Sequence, residues 1–397
     1  MRERLAVDGG APVRATMLPY GHQVVDDADI KAVADVLRSQ WLTTGPALAE
    51  YEAAFAQRVG AAHAVAVSSG TAALHAAAHA AGIGPKDEAI TSPITFAATA
   101  NCVLYCGGRV AFADVQPETC NLDPEQIGRQ IAERTKAILA VHYAGQPCDM
   151  HAIHAVAERH NLVVIEDAAH ALGASYDGRN VGTLGQLAAF STHPVKHITT
   201  GEGGMVTTND DALAYKLRVF RNHGIADDAH TRAKRGDWRY DMTDLGYNYR
   251  MADVLAALGK SQLTKLDAWL ARRRAIARRF DDAFASLGQL ELIPVRPDRE
   301  SARHFYPVRL NLERLRVGRA DVFRALRAEG IGVNVHYIPV YWHPHYQKLG
   351  YPKGLCPEAE AQYERLITLP LWAGMTDRDA EDVIAATRKV LAAYAAG

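Results

Sequence analysis

The chain reads as an α/β protein in two units, a large domain on a mostly parallel sheet followed by a smaller α+β domain. Three observations predict this. Its 397 residues exceed one small core, at about 100–200 residues per domain. Between about residues 60 and 210 short apolar runs alternate with helical patterns, the layout of a sheet covered by helices on both faces. Beyond about residue 250 the pattern becomes one long basic helical stretch and then a second mixture of strands and helices.

The clearest predicted strands are Ala137–Val141, Leu162–Ile165, Leu187–Phe190 and Gly204–Thr207, each a run of aliphatic residues near a turn signal. Helical spacing is expected over Met150–His160 and Asp210–Arg221. A single connecting helix is expected over Ala252–Leu287, so the domains divide as 1–250 and 251–397. The second unit is expected to hold a strand at Phe305–Leu310, a helix at Ala320–Glu329, a strand at Gly332–His336 and a closing helix at Asp377–Ala393.

The 44 basic and 45 acidic side chains nearly cancel and are interspersed. No broad field of one sign marks a nucleic-acid or membrane partner, so a small molecule is the default partner. The first twenty residues lack the apolar stretch of a signal peptide, and no later run could span a bilayer, so a soluble, cytoplasmic protein is expected. Five cysteines without CxxC spacing argue against a disulfide framework or a zinc ribbon. The histidines of HPH at 343–345 and of 151–160 read as polar loop and helix face, and no metal site is expected.

Three segments carry chemistry. In SSGTAALHAAAHAAG, small and hydroxyl residues precede an Ala-rich helix, so free backbone N–H groups and the helix dipole converge where a phosphate could sit; an ordinary N-capped helix reads the same way. In VVIEDAAHALGA, an apolar strand delivers Glu166 and Asp167 at its carboxyl end, the edge where open parallel sheets place ligands. Asp167 facing a pyridine nitrogen would favour the protonated ring, and His170 could meet a phenolic oxygen; taken alone, they also read as a helix cap and a solvated histidine. In AFSTHPVKHITTGEGG, a strand ends at Ser191 and enters a Pro- and Gly-punctuated loop holding one lysine, Lys196. Held inward, such a lysine has a depressed pKa and attacks aldehydes. Together the segments supply the phosphate, ring-nitrogen and aldehyde ends of pyridoxal phosphate.

The blocks SSGTAALHAA, SPITFAATAN, IEDAAHALGA, FSTHPVKHITTGEGG, RNHGI, LGYNYRM and VHYIPVYWHPHY, in that order, resemble the sugar-modifying aminotransferases of the DegT/DnrJ/EryC1/StrS group over nearly the whole chain. The resemblance implies the fold type I of pyridoxal-phosphate-dependent transferases, with a mostly parallel seven-stranded sheet. It implies that Gly70, Thr71 and Ala72 hold the phosphate with Ser191, that Phe96 stacks on the ring, and that Asp167 and His170 serve its nitrogen and phenolic oxygen. Lys196 would carry the cofactor as a Schiff base and act as acid and base. Asn248 would reach the phosphate bound by the partner subunit, making a homodimer with shared sites. Thr44, the tail of RNHGI, His336 and Tyr337 would surround a nucleotide-linked keto sugar, with L-glutamate as donor and 2-oxoglutarate released.

Some members of the group carry histidine at the lysine position and deoxygenate; Lys196 places this chain with the transaminases. TFAATANCVLYCGG, HPVKHITTGEGG and GDWRYDMTDLGYNYR most resemble the transaminases acting at C4 of UDP-4-keto-6-deoxy-N-acetyl-altrosamine on the pseudaminic acid pathway, although His197 stands where those relatives carry proline. dTDP- or GDP-linked 3- or 4-keto sugars stay open as substrates. So do a lyase or dehydratase and a non-catalytic nucleotide-sugar-binding protein.

Overall fold

The computed structural model describes residues 3–226, 236 and 238–396; Asp237, within the GDWRYDMTDLGYNYR block, lies outside them. The large unit is built on seven strands: β1 His63–Val67, β2 Glu88–Thr91, β3 Arg109–Phe112, β4 Thr135–Val141, β5 Val163–Asp167, β6 Leu187–Ser191 and β7 Gly204–Thr208. They lie in the order β1-β7-β6-β5-β4-β2-β3. β7 runs antiparallel to both neighbours, and the other pairs are parallel. The mostly parallel sheet is therefore present as expected. β4 to β6 are continuous apolar runs because both of their faces are covered.

Each face of the sheet has its own core. On one side Val65, Ala89, Leu139 and Ile165 pack with Ala73, Ala76 and Ala77 of the Gly70–Ala80 helix. Alanine at these positions lets the helix lie close to β6 and β7. On the other side Ile138, Val164 and Phe190 meet Phe55, Ile153 and Leu270.

Strand periodicity sends Asp167 and Glu166 to opposite faces. Glu166 is fully buried, and its carboxylate accepts from the N–H groups of Gly182 at 3.1 Å, Leu184 at 2.9 Å and Gly185 at 2.8 Å. His142 Nε2 lies 3.0 Å from it. Glu166 thus pins the turn before β6, and Asp167 alone faces the ligand side.

The second unit is an antiparallel sheet of β8 Leu290–Leu292, β9 Tyr306–Leu310 and β10 Leu366–Leu369, covered by the Arg319–Ala328 and Asp377–Tyr394 helices. Three expectations are corrected. The connecting stretch is two helices, Asp253–Leu263 and Leu266–Phe284, because the Thr264 hydroxyl bonds back to Ser261 O at 2.6 Å while Lys265 turns to Asp29 at 2.8 Å. Gly332–His336 forms no regular strand: Gly332 N–H bonds Leu18 O at 2.7 Å, Asn334 exchanges bonds with Thr368, and only isolated bridges remain. Nor do the apolar side chains divide at residue 250. Leu5 and Leu18 pack with Phe280, Val308, Leu326 and Leu391, whereas Met251, Ala256 and Leu270 pack with the large core.

The cysteines are free, all buried except the half-buried Cys106. Among the described residues no helix is long and apolar enough to cross a membrane. Glu166→Ala would leave its backbone donors and His142 without their acceptor, at a cost of about 3–5 kcal/mol. The urea midpoint measures this, and a loss below about 1 kcal/mol would mean that water replaces the carboxylate.

Candidate active site

At the carboxyl edge of the sheet a cavity of about 720 Å³ lies between the two units. One wall is the start of the Gly70–Ala80 helix. Ser69, extended at φ −164°, caps it by accepting from Ala72 N at 3.1 Å. Gly70 and Thr71 line the cavity. A Cβ on Gly70 would fall 2.7 Å from Ser191 Cβ and 2.9 Å from its Oγ, so glycine is what lets the serine at the end of β6 meet the helix start. Gly204 makes the reciprocal approach, since its Cβ would sit 2.3 Å from Ser69 O. The result is a cradle of N–H groups, helix dipole and hydroxyl. Ala72 does not join it: its N–H serves Ser69, its side chain is buried in the core, and the cavity is lined without it.

Asp167, buried at the end of β5, accepts at Oδ2 from Thr99 Oγ1 at 2.6 Å and at Oδ1 from Ala169 N at 3.1 Å, which fixes its plane and leaves lone pairs for a further donor. The Lys196 loop closes on itself. Thr200 N bonds Thr192 O at 3.0 Å and their hydroxyls lie 2.6 Å apart. Lys196 N bonds His193 O at 2.9 Å. Lys196 is half-buried and lines the cavity, as do Asp167, Ser191, Phe96, His170, His336 and Tyr337. Burial and the Arg273 charge push its amine down to about 8, against the opposing pull of Asp167.

His170 is buried with Nε2 3.1 Å from the Tyr337 hydroxyl. Burial, with the nearby Lys196 charge, holds its imidazole well below the ordinary histidine range. His336 places Nδ1 3.0 Å from Thr368 Oγ1, and burial and Lys196 hold it down at about 3. Phe96, at the start of the Ala97–Tyr105 helix, is 61% exposed, with its ring 6.4 Å from that of Tyr337. An exposed aromatic face on the cavity can stack on a ring.

Thr44 and the tail of RNHGI, expected around the sugar, are not brought to this cavity. Thr44 lies before the Pro46–Val59 helix at φ 56°, its hydroxyl donating to Thr43 O at 2.7 Å, and neither it nor Gly224 and Ile225 of RNHGI lines the wall. Asn248, expected at the phosphate of the partner subunit rather than of its own, is exposed and bridged to Asn222.

Three residues were missed in the sequence. His304 is buried, stacks on His170 with centroids 4.6 Å apart, and has Nε2 3.4 Å from Lys196 Nζ. Arg273 is buried and donates from Nη1 to His304 O and Leu371 O, both at 2.9 Å. Tyr20 comes from the N-terminal segment to the cavity rim. A usable signal existed for Arg273: it falls in the buried series Leu266, Leu270, Arg273, Ala277, Phe280 and Phe284, spaced alternately by four and three residues. For His304 there was none.

The family model described as the DegT/DnrJ/EryC1/StrS aminotransferase family matches residues 23–388. The spore coat polysaccharide biosynthesis protein SpsC of Bacillus subtilis is 44% identical, over 95% of this chain and 98% of SpsC. Among solved structures, the putative sugar aminotransferase Spr1654 from Streptococcus pneumoniae in its PMP form superposes with a TM-score of 0.90 at 30% identity, over 95% of this chain and 99% of that one. Its PLP form also superposes. Helicobacter pylori PseC, an aminotransferase involved in the biosynthesis of pseudoaminic acid, superposes with a TM-score of 0.89 at 30% identity, over 96% and 100% of the two chains.

The cofactor is pyridoxal phosphate, and the residues present fit it. The cradle kept open by the missing Cβ of Gly70 suits its phosphate, Asp167 offers a fixed carboxylate, and Lys196 offers an amine of lowered basicity. Gly70→Ala should force Ser191 away and weaken cofactor binding by about 10- to 100-fold, from an overpacking cost of about 1–3 kcal/mol. Titrating the cofactor-free protein with pyridoxal phosphate checks this, and unchanged affinity would remove Gly70 from the cradle.

Proposed function

We propose that this chain, which belongs to the DegT/DnrJ/EryC1/StrS aminotransferase family and is a sugar aminotransferase, moves the amino group of L-glutamate to C4 of a nucleotide-linked 4-keto-6-deoxy sugar. UDP-4-keto-6-deoxy-N-acetyl-altrosamine, on the pseudaminic acid pathway, is the substrate that the sequence blocks favour. The observation that carries the reading is the cavity itself: Lys196 and Asp167 share it with the Gly70–Ser191 cradle, and it remains large enough, at about 720 Å³, for a sugar carrying a diphosphate. The likeness to PseC supports the pathway. The 44% identity to SpsC supports a second reading, in which the aminated sugar enters a surface polysaccharide.

When bound, pyridoxal phosphate supplies an aldehyde for amine exchange and a ring that withdraws electrons from the reacting carbon. Asp167 would offer that ring a fixed negative charge and so favour its protonated form. Gly70, Thr71 and Ser191 would hold its phosphate, which would keep the reacting end in place while substrates exchange. Lys196, free base over part of the neutral range, takes the α-proton of the amino donor at Nζ and later delivers a proton to C4 of the sugar. Donor and acceptor use the cavity in turn, giving ping-pong kinetics. His336, Tyr337 and Asn334 stand on the side of the second unit, where the sugar would lie.

With L-glutamate and a panel of UDP-, dTDP- and GDP-linked keto sugars, the protein should release 2-oxoglutarate and one aminated nucleotide sugar, identified by mass spectrometry. Lys196→Ala should lower turnover by at least about 100-fold, the smallest usual contribution of a general acid and base. Release of 2-oxoglutarate with no sugar of the panel aminated at C4 would sink the C4 assignment.

The same reading includes a homodimer with shared sites. It is supported by the apolar surface of Trp238, Met242, Leu245 and Tyr247 beside the exposed Asn248. Sedimentation should give twice 43.2 kDa. Mixing the Lys196→Ala and Asn248→Ala proteins should restore activity through hybrids with one whole site, and no recovery would place Asn248 outside the site.

A further inference from the structure

The only side-chain partner that the described residues give to Lys196 Nζ is the His304 imidazole, 3.4 Å away at Nε2. His304 belongs to the second unit, just before β9, while Lys196 belongs to the loop after β6. The ring of His304 is fixed on three sides: it stacks on His170 at 4.6 Å and 21°, meets Phe305 at 5.2 Å, and packs against His197 at 5.4 Å. Its backbone is equally fixed, since His304 N bonds Ala144 O at 3.0 Å and Arg273 grips its carbonyl. Nδ1, on the other side of the ring, is buried and finds no hydrogen-bond partner among the described residues.

That asymmetry selects a tautomer. A proton on Nδ1 would be a buried N–H without an acceptor, whereas a bare Nδ1 leaves only a lone pair unmatched, the cheaper of the two. The proton therefore belongs on Nε2, where it points at Lys196 Nζ. A neutral amine can accept that bond and an ammonium cannot. The imidazolium form is disfavoured as well, since it would bury a charge and an unpaired N–H together.

We infer that His304 is a positioning residue that donates from Nε2–H to the lone pair of Lys196 Nζ and thereby holds the lysine as a free amine, aimed into the cavity, whenever it is not bonded to another group. This rests on Lys196 being the reactive amine. The other groups facing the pair are Asp167 from β5, His170 beyond it, His197 on the lysine's own loop, Arg273 from the Leu266–Phe284 helix, and His336 from the second unit. Of these, Asp167 favours the ammonium and Arg273 opposes it. His304 adds to the effect of burial without carrying charge, since hydrogen bonding to the neutral form lowers a basic pKa.

The test reads Lys196 directly. In the full-length chain freed of cofactor, competitive acetylation of Lys196, followed by peptide mass spectrometry across pH, should give a midpoint well below that of an ordinary lysine. His304→Phe keeps the stacked ring and removes the donor, and should raise that midpoint by about one pH unit, the size of one hydrogen bond. His304→Gln, which can donate from a similar place, should return it towards the wild type. An unchanged or lowered midpoint in His304→Phe overturns the inference.

Should that variant fail to fold, nitrogen NMR of labelled histidine in the wild type decides. The His304 signal, assigned by its loss in His304→Gln, should show the proton on Nε2 from about pH 6 to 9, and a proton on Nδ1 overturns the inference. Neither readout depends on sugar amination. A shifted midpoint in a chain that aminates no sugar would support His304 and sink the proposed substrate; an unshifted midpoint in an active enzyme would do the reverse.

Discussion

A lysine of lowered basicity must be kept beside a carboxylate without the two collapsing into an ion pair, and much of the architecture follows from that constraint. The loop from Thr192 to Thr200 is closed by its own backbone and hydroxyl bonds, so the position of Lys196 depends little on what occupies the cavity. Asp167 is held separately, by Thr99 and Ala169 N–H, on the neighbouring strand. Asp167 is satisfied by Thr99 and Ala169 and Lys196 sits on a self-closed loop, which leaves both side chains available to a third group. Burial of Arg273 behind the loop adds a positive charge that works against protonation of the lysine. The Coulombic attraction of Asp167 is thereby offset rather than removed.

The sheet serves the same constraint. Ending β5 and β6 side by side places an acid and a serine at one edge, and the antiparallel β7 returns the chain so that Gly204 can press against Ser69. Two glycines, at 70 and 204, make the approach possible from opposite sides. Glu166 does comparable work on the far face, where its backbone bonds fix the turn that sets the start of β6.

Much of the site was legible because its signals are local. A small-residue helix start, an acid at a strand end and a lysine in a Gly-punctuated loop each follow a rule that spans a few residues, and Gly70, Asp167, Ser191 and Lys196 line one cavity. Ala72 was misplaced by one step of the same rule, since the cap uses its amide. Gly332–His336 failed as a strand because two distant partners, Leu18 and Thr368, divide its hydrogen bonds, and alternation alone cannot reveal a shared edge. Arg273 was hidden by composition: among the many arginines of its helix only the register of the apolar face singles it out. His304 and Tyr20 act through segments far from the lysine in sequence, and no local pattern announces either.

The N-terminal segment has a bearing on how the chain is made. Leu5 and Leu18 belong to the core of the second unit, Arg14 pairs with Asp379 at 2.7 Å and Asp382 at 2.8 Å, and Ala6 N–H bonds the buried Glu329 at 2.8 Å. During synthesis, which proceeds at about 5–20 residues per second, the stretch from Leu5 to Leu18 emerges long before its partners between Glu329 and Leu391 have followed. The large sheet can assemble while the ribosome is still working. The unit that carries His304, His336 and Tyr337 cannot, so the cavity closes only after the stretch holding Asp382 and Leu391 has followed, and a nascent chain cut short before it would present a folded sheet with an open, unfinished wall.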